Sequence, residues 1–278
     1  AIQAIKDGFT KYTAVAGTVS LRQAIVEKFK SDNGLDYMLN EVIVGVGGKQ
    51  CIFNLCLAIL EMGDEVVIPA PYWVSYADIV QLTGAKPIIV TCDISQQFKI
   101  TPSQLEESIT DATKLVFLNS PSNPTGAVYS KDELRSLADI LLKHPHVYIG
   151  TDDIYEHINL GDNPFYNILM VEPKLKDRVI ILNGVSKAYS MTGWRIGFAA
   201  GPKEIISAMS KLQSQSTSNP TSISQVAAEA ALRGSRDCII PMVKAFKERH
   251  EYVLEALNDI NGVKCIPAEG AFYAFCDA

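Results

Sequence analysis

The strongest constraint on this chain is a regular exchange between two hydrophobic periods. Short, largely β-branched runs recur at Glu41–Val46, Asp64–Pro69, Lys86–Thr91, Leu115–Leu118, His146–Gly150, Val179–Leu182 and Ile196–Ala200. Segments of helical period stand among them: Leu21, Ile25 and Phe29 within Lys11–Lys30, the stretch after Lys49 through Met62, and one begun by Tyr72-Trp73. Others are opened by Thr101 (T-P-S-Q-L-E-E, with proline at the first helical position) or span Lys131–Lys143, Glu204–Leu212, Ile223–Leu232 and about Asp237 to Leu257. Strands alternating with helices imply an α/β layered fold with a largely parallel sheet. The final stretch, Val263–Ala278, is strand-like and stops mid-pattern at EGAFYAFCDA.

An open parallel sheet collects ligands at the carboxyl ends of its strands. Gly48-Lys49, Asn123, Asp152 and Lys187 all lie just after predicted strands, so one crevice can gather them. At Gly47-Gly48-Lys49 the order strand, glycines, helix is an anion-binding arrangement, because free N–H groups at a helix start face whatever lies there. A tight turn without a ligand explains the same residues equally well. A P-loop is excluded: its first glycine would fall at Ile43, and Gln50 rather than Ser or Thr follows the lysine.

The stretch Asn183–Gly197, NGVSKAYSMTGWRIG, carries Lys187 and Arg195 eight residues apart among small residues. An amine at a strand mouth can form a Schiff base with an aldehyde while a guanidinium holds a phosphate. By itself such a pair is more often a solvated lysine and a surface arginine beside a turn.

Composition removes several function classes. With a net charge of −6 and no basic run, the chain offers no nucleic-acid surface. Every long apolar run is broken early by a charge, CIFNLCLAIL at Glu61 for instance, so no membrane segment is expected. Six cysteines lack any CxxC pair and several sit in apolar segments, which reads as buried free thiols in a reducing compartment. The histidines do not cluster at metal-ligand spacing, and no metal site is expected. No repeat or low-complexity segment appears; Gln213–Ser224 is a polar loop that could line a site.

The segment G-V-S-K, two residues, S-M, one residue, G, one residue, R-I-G resembles the cofactor-attachment signature of class I aminotransferases, bacterial aspartate aminotransferases in particular. PYWVSY, SPSNPTG and TDDIY match other motifs of that family in the same chain order. The resemblance implies a three-layer α/β/α fold, pyridoxal 5'-phosphate as cofactor and Lys187 as the Schiff-base residue that also moves the substrate proton. It further implies that Asp152 pairs with the pyridine nitrogen, where the residues alone leave Asp152, Asp153 and loop capping open. Asn123 and Tyr155 would hydrogen-bond the phenolic oxygen, Trp73 would stack on the ring, and Arg195, Ser186 and the Gly48 backbone would hold the phosphate. Lys49, of GGKQ, would meet the side-chain carboxylate of a dicarboxylic substrate, and Tyr12 would reach the phosphate of the neighbouring subunit in a homodimer.

The expected reaction is transamination between aspartate and 2-oxoglutarate, by a ping-pong route through pyridoxamine phosphate in the cytoplasm. Alternatives are a related aminotransferase acting on prephenate, aromatic amino acids or alanine, and a non-catalytic cofactor-binding regulatory module. Family members are longer at both ends, so the chain looks truncated and lacks the arginine that grips the substrate α-carboxylate. Residues 1–234 are expected to form the large cofactor-binding domain, with 1–30 as its N-terminal part. Residues 235–278 would hold a long helix and the start of a small domain that is mostly absent.

Overall fold

The computed structural model describes residues 1–277. Seven strands form the main sheet: β1 (Val42–Gly45), β2 (Glu65–Ala70), β3 (Lys86–Thr91), β4 (Thr113–Asn119), β5 (Tyr148–Asp152), β6 (Val179–Gly184) and β7 (Gly197–Ala200). Their spatial order is β1-β7-β6-β5-β4-β2-β3. Only β7 runs against its neighbours, pairing antiparallel with both β1 and β6.

Among the described residues ten α-helices accompany the strands: α1 (Ile2–Lys6), α2 (Val19–Asn33), α3 (Gly48–Ile59), α4 (Ser75–Leu82), α5 (Pro102–Ser108), α6 (Lys131–Lys143), α7 (Ile168–Val171), α8 (Lys203–Gln215), α9 (Ser222–Arg233) and α10 (Ile239–Asn258). Local chemistry sets several of their ends. Thr18 caps α2 and left-handed Gly34 closes it, while Thr101 with Gln104 and Ser130 with Glu133 form capping boxes on α5 and α6.

Alternation along each strand sorts side chains between two cores. Val116 and Leu118 of β4 join Ile149, Val179 and Ile181 beneath α2 and α6. Leu115 and Phe117 face the other way and join Ile68, Ile180 and Leu182 against α3, α4 and α8. The central strands are buried on both faces, which is why their sequences read as unbroken Val/Ile/Leu runs rather than alternating ones. The expected three-layer α/β/α architecture is what forms.

Some boundaries differ from the sequence expectation. The helix after Lys49 ends at Ile59, short of Met62, because the chain turns at Gly63 (φ +101°) with Asp64 accepting from the Glu61 amide. Trp73 precedes its helix, and β5 extends to Asp152, which ends that strand instead of following it. Val263–Ala278 is not one strand: Lys264–Cys265 (β8) pairs with Cys276–Asp277 (β9) around a turn, and Ala278 lies outside the described residues. That turn is drawn away from extended pairing by backbone hydrogen bonds to other loops: the Glu269 and Gly270 amides donate to the Gly126 carbonyl, and the Ala271 amide to that of Ile158. No described helix is long and apolar enough to cross a membrane.

Candidate active site

The antiparallel insertion of β7 completes the site. The parallel strands finish at one edge of the sheet, and β7, running the other way, begins there. Gly45, Gly197 and Gly184 stand side by side in the register, so Arg195, just before β7, reaches the same edge as the residues that follow β5 and β6. The close approach needs glycine: a Cβ on Gly197 would collide with the backbone of Gly47 and Gly48 at the start of α3. One cavity of about 210 Å³ opens at this edge, with Gly48, Lys49, Trp73, Asn123, Asp152, Tyr155, Ser186, Lys187 and Arg195 in its wall.

Asp152 is buried there and accepts from the Tyr76 hydroxyl at 2.7 Å and from the Ile154 amide at 3.3 Å. Burial raises its pKa, and the Tyr76 hydrogen bond and the charge of Lys187 only partly oppose this. Tyr76 is itself held by stacking on Phe117, ring centroids 4.8 Å apart, and by the edge of Trp73 at 5.5 Å. Asn119, the last residue of β4, ties two strand ends together: its amide donates to the Asp152 carbonyl (2.8 Å), and its carbonyl accepts from the Asn123 backbone (2.7 Å).

Lys187 is half-buried, with its ammonium 5.6 Å from the Tyr155 ring centroid and 5.5 Å from that of Phe272. Burial lowers its pKa and nearby Arg195 adds to the effect, against the opposing pull of Asp152. A larger neutral fraction makes the amine a better nucleophile and base at neutral pH. Arg195 occupies a left-handed backbone position (φ +54°), donates to the Thr192 carbonyl at 2.8 Å and makes no ion pair among the described residues. Its guanidinium fills the space where a Gly47 Cβ would project, bringing it against the amides that open α3.

This donor set fits a phosphorylated, cationic heterocycle. Asp152 is a buried carboxyl with no cation within ion-pair distance among the described residues. Arg195, Ser186 and the start of α3 assemble anion-binding groups beside Gly48, and an amine stands between these two poles.

Lys49 is exposed and extends over Trp73, 4.8 Å from its ring centroid. Tyr12 is not brought to the cavity: it is 91% exposed and borders a separate groove with Thr217, Ser218 and Asn219. Side chains around the site that carry no expectation from sequence include Tyr76, Asn119, Ile154, Phe272 and Tyr273. Tyr76 lies three residues beyond Trp73 in the PYWVSY motif, which was the available signal; Phe272 and Tyr273 arrive from the distant EGAFYAF turn. Asp32, Glu156 and His157 also gather, their ligand atoms within 4.8 Å of one another, a group that the linear spacing of histidines does not show. Lys28 and Arg236 already place cations on those carboxylates.

The family described as aminotransferase class I and II matches residues 1–278. The chain is 57% identical to an aspartate/prephenate aminotransferase of Nitrosomonas europaea, over all of this chain and 70% of that protein.

The chain belongs to the class I and II aminotransferases.

Among solved structures of this family, the aspartate aminotransferase of Rhizobium meliloti superposes with a TM-score of 0.97 at 50% identity, covering 99% of this chain and 69% of the other. An aromatic aminotransferase from Pyrococcus horikoshii gives 0.95 at 36% identity, covering 99% and 74%. Two aminotransferases named for different amino acids thus share this backbone closely over the part that aligns.

Proposed function

We propose that this aminotransferase uses pyridoxal 5'-phosphate to exchange amino groups between aspartate and 2-oxoglutarate. The observation that carries the reading is the convergence of Lys187, Asp152 and Arg195 on one cavity, an amine between a buried carboxyl and a guanidinium that makes no ion pair among the described residues. When bound, the cofactor supplies an aldehyde for the lysine and a ring that takes up the electrons released at the substrate Cα.

Asp152 holds the ring nitrogen protonated, since a cation against a buried carboxylate lowers the cost of its charge. Lys187 would hold the cofactor through its aldehyde and, as a free amine, would move the proton of the substrate Cα. Asn123 and Tyr155 hydrogen-bond the phenolic oxygen, while Trp73 covers the ring. Ser186, Arg195 and the Gly48 amide hold the phosphate, with Tyr12 supplied by the partner in a homodimer. Its 91% exposure within a single chain supports that placement.

Lys49 favours a dicarboxylic substrate by pairing with its side-chain carboxylate. The Nitrosomonas relative, whose name joins prephenate to aspartate, supports a second, ring-bearing oxo acid in the same site. Residues 235–278 belong to a second, smaller unit. Supporting this, among the described residues the main sheet takes no strand after Ala200, and Met242, Val243 and Phe246 of α10 lie outside the two cores that flank that sheet, packing instead against Tyr155, Ile158 and Ala271. Unpaired cysteines support a reducing, cytoplasmic setting.

The test is Lys187→Ala. Borohydride treatment with pyridoxal phosphate should add one cofactor mass to the wild-type protein on Lys187 and none to the variant, and L-aspartate should release oxaloacetate only from the wild type. A variant that still forms the reducible adduct at this site would end the assignment.

A further inference from the structure

The turn from Glu269 to Tyr273 is fastened to two loops of the active-site edge. Its Glu269 and Gly270 amides both donate to the Gly126 carbonyl at 3.0 Å, and the Ala271 amide donates to the Ile158 carbonyl at 2.8 Å. In return the Glu269 carbonyl accepts from Leu160 and Gly161 at 2.8 and 3.0 Å. The fit is tight enough that a Cβ on Gly270 would lie 2.6 Å from Pro121, and one on Gly126 would collide with Ala268. Ala271 is fully buried in the left-handed region (φ +58°), a conformation that costs an alanine energy and persists only where its surroundings fix it.

This docking has a chemical result. It lays Phe272 edge-on to Tyr155, centroids 5.4 Å apart, and brings the Tyr273 hydroxyl to 2.5 Å from the Tyr155 hydroxyl. Tyr155 is 2% exposed, so water cannot readily replace that partner. A phenol has one proton to give. If Tyr155 donates it into the cavity that it lines, its oxygen is left to accept, and Tyr273 is the one side-chain hydroxyl placed to donate among the described residues.

We infer that Tyr273 is a positioning residue that donates to the Tyr155 oxygen, turns the Tyr155 proton toward the cavity and strengthens it as a donor to the cofactor's phenolic oxygen. The inference rests on the pyridoxal phosphate reading above. It gives the C-terminal turn a direct part in tuning the cofactor, because a donor that itself accepts a hydrogen bond is polarised and binds its acceptor more strongly. A strengthened donor draws electron density from the phenolic oxygen and eases proton loss from the adjoining nitrogen.

The experiment is a visible-absorption pH titration of the protein carrying pyridoxal phosphate, for wild type, Tyr273→Phe, Tyr155→Phe and the double variant. Circular dichroism accompanies it to confirm folding. Removing the Tyr273 hydroxyl should raise the midpoint of the cofactor band by roughly 0.3 to 1 pH unit, the size one neutral hydrogen bond supports. Tyr155→Phe should raise it further, and adding Tyr273→Phe to that background should change nothing more. An unshifted midpoint in folded Tyr273→Phe overturns the inference, as does a shift that persists undiminished without the Tyr155 hydroxyl. A wild-type protein that forms no band at all instead overturns the cofactor reading beneath it, and this inference with it.

Discussion

Lys28→Met should destabilise the protein by about 3–5 kcal/mol at neutral pH, the usual cost of removing one partner from a buried ion pair. Lys28 is 5% exposed, and its ammonium pairs with Glu156, itself 5% exposed. Methionine preserves much of the stem's packing, so the loss falls on the ammonium group: its pairing with Glu156, its 2.8 Å hydrogen bond to the Asn33 side-chain carbonyl and its 3.7 Å contact with Asp32. Glu156 would retain the Asn33 and Asn183 amides at 3.0 and 2.8 Å and His157 at 3.5 Å, but no lysine.

The cost should also depend on pH in a definite direction. In the wild type, burial works against the Glu156 charge, yet Lys28, His157 and Asn33 outweigh it and hold the pKa below the usual 4.5. A carboxyl depressed in the folded state stabilises fully above its unfolded pKa and loses that contribution as pH falls through the folded value. Without Lys28 the buried carboxyl takes up a proton at higher pH, which relieves its unpaired charge. The gap between wild type and variant should therefore narrow as pH falls from 7 toward 4. Urea denaturation of both proteins at several pH values measures it. A loss under about 1 kcal/mol at pH 7, or a gap that does not change with pH, would refute the reasoning.

Two further substitutions probe the site's frame. Gly197→Ala forces a Cβ into the Gly47-Gly48 backbone, and overpacking of this kind costs about 1–3 kcal/mol, with each 1 kcal/mol lowering Tm by roughly 2–4 °C. An unchanged Tm in a scanning calorimeter would show that β7 and α3 are less tightly apposed than described. Tyr76→Phe removes the 2.7 Å donor to Asp152 and leaves the Ile154 amide at 3.3 Å, so the carboxyl becomes harder to ionise. Pyridoxal phosphate affinity should fall roughly tenfold in equilibrium dialysis, and an equal Kd would sink the idea that Tyr76 supports Asp152.

Much of the site was legible because its elements are local. β3 and α6 have the ends that the sequence marks, since β-branched runs, capping residues and helical periodicity act over a few positions. Gly48-Lys49, Asn123, Asp152 and Lys187 could be placed at strand ends, where parallel sheets bind ligands, and all of them line one cavity. Arg195 was legible only as a member of a motif. That it faces the same cavity depends on β7 entering antiparallel, which no local propensity specifies.

Only the tertiary structure decided the contacts between distant segments. Asn33 meets Glu156 across 123 residues, and Tyr155 meets Tyr273 across 118. The turn that delivers Tyr273 reads as the continuation of a strand, because its residues have strand propensity, yet it is held by backbone hydrogen bonds to Gly126 and Ile158. Every non-proline residue carries the same backbone donor and acceptor, so nothing in a one-dimensional pattern says which loop will satisfy them. The sequence by itself determined the layered sheet and the residues at its carboxyl edge, because side-chain period and turn chemistry act locally. The fold determined which distant side chains stand behind them, because that choice is made by packing and hydrogen-bond closure in three dimensions.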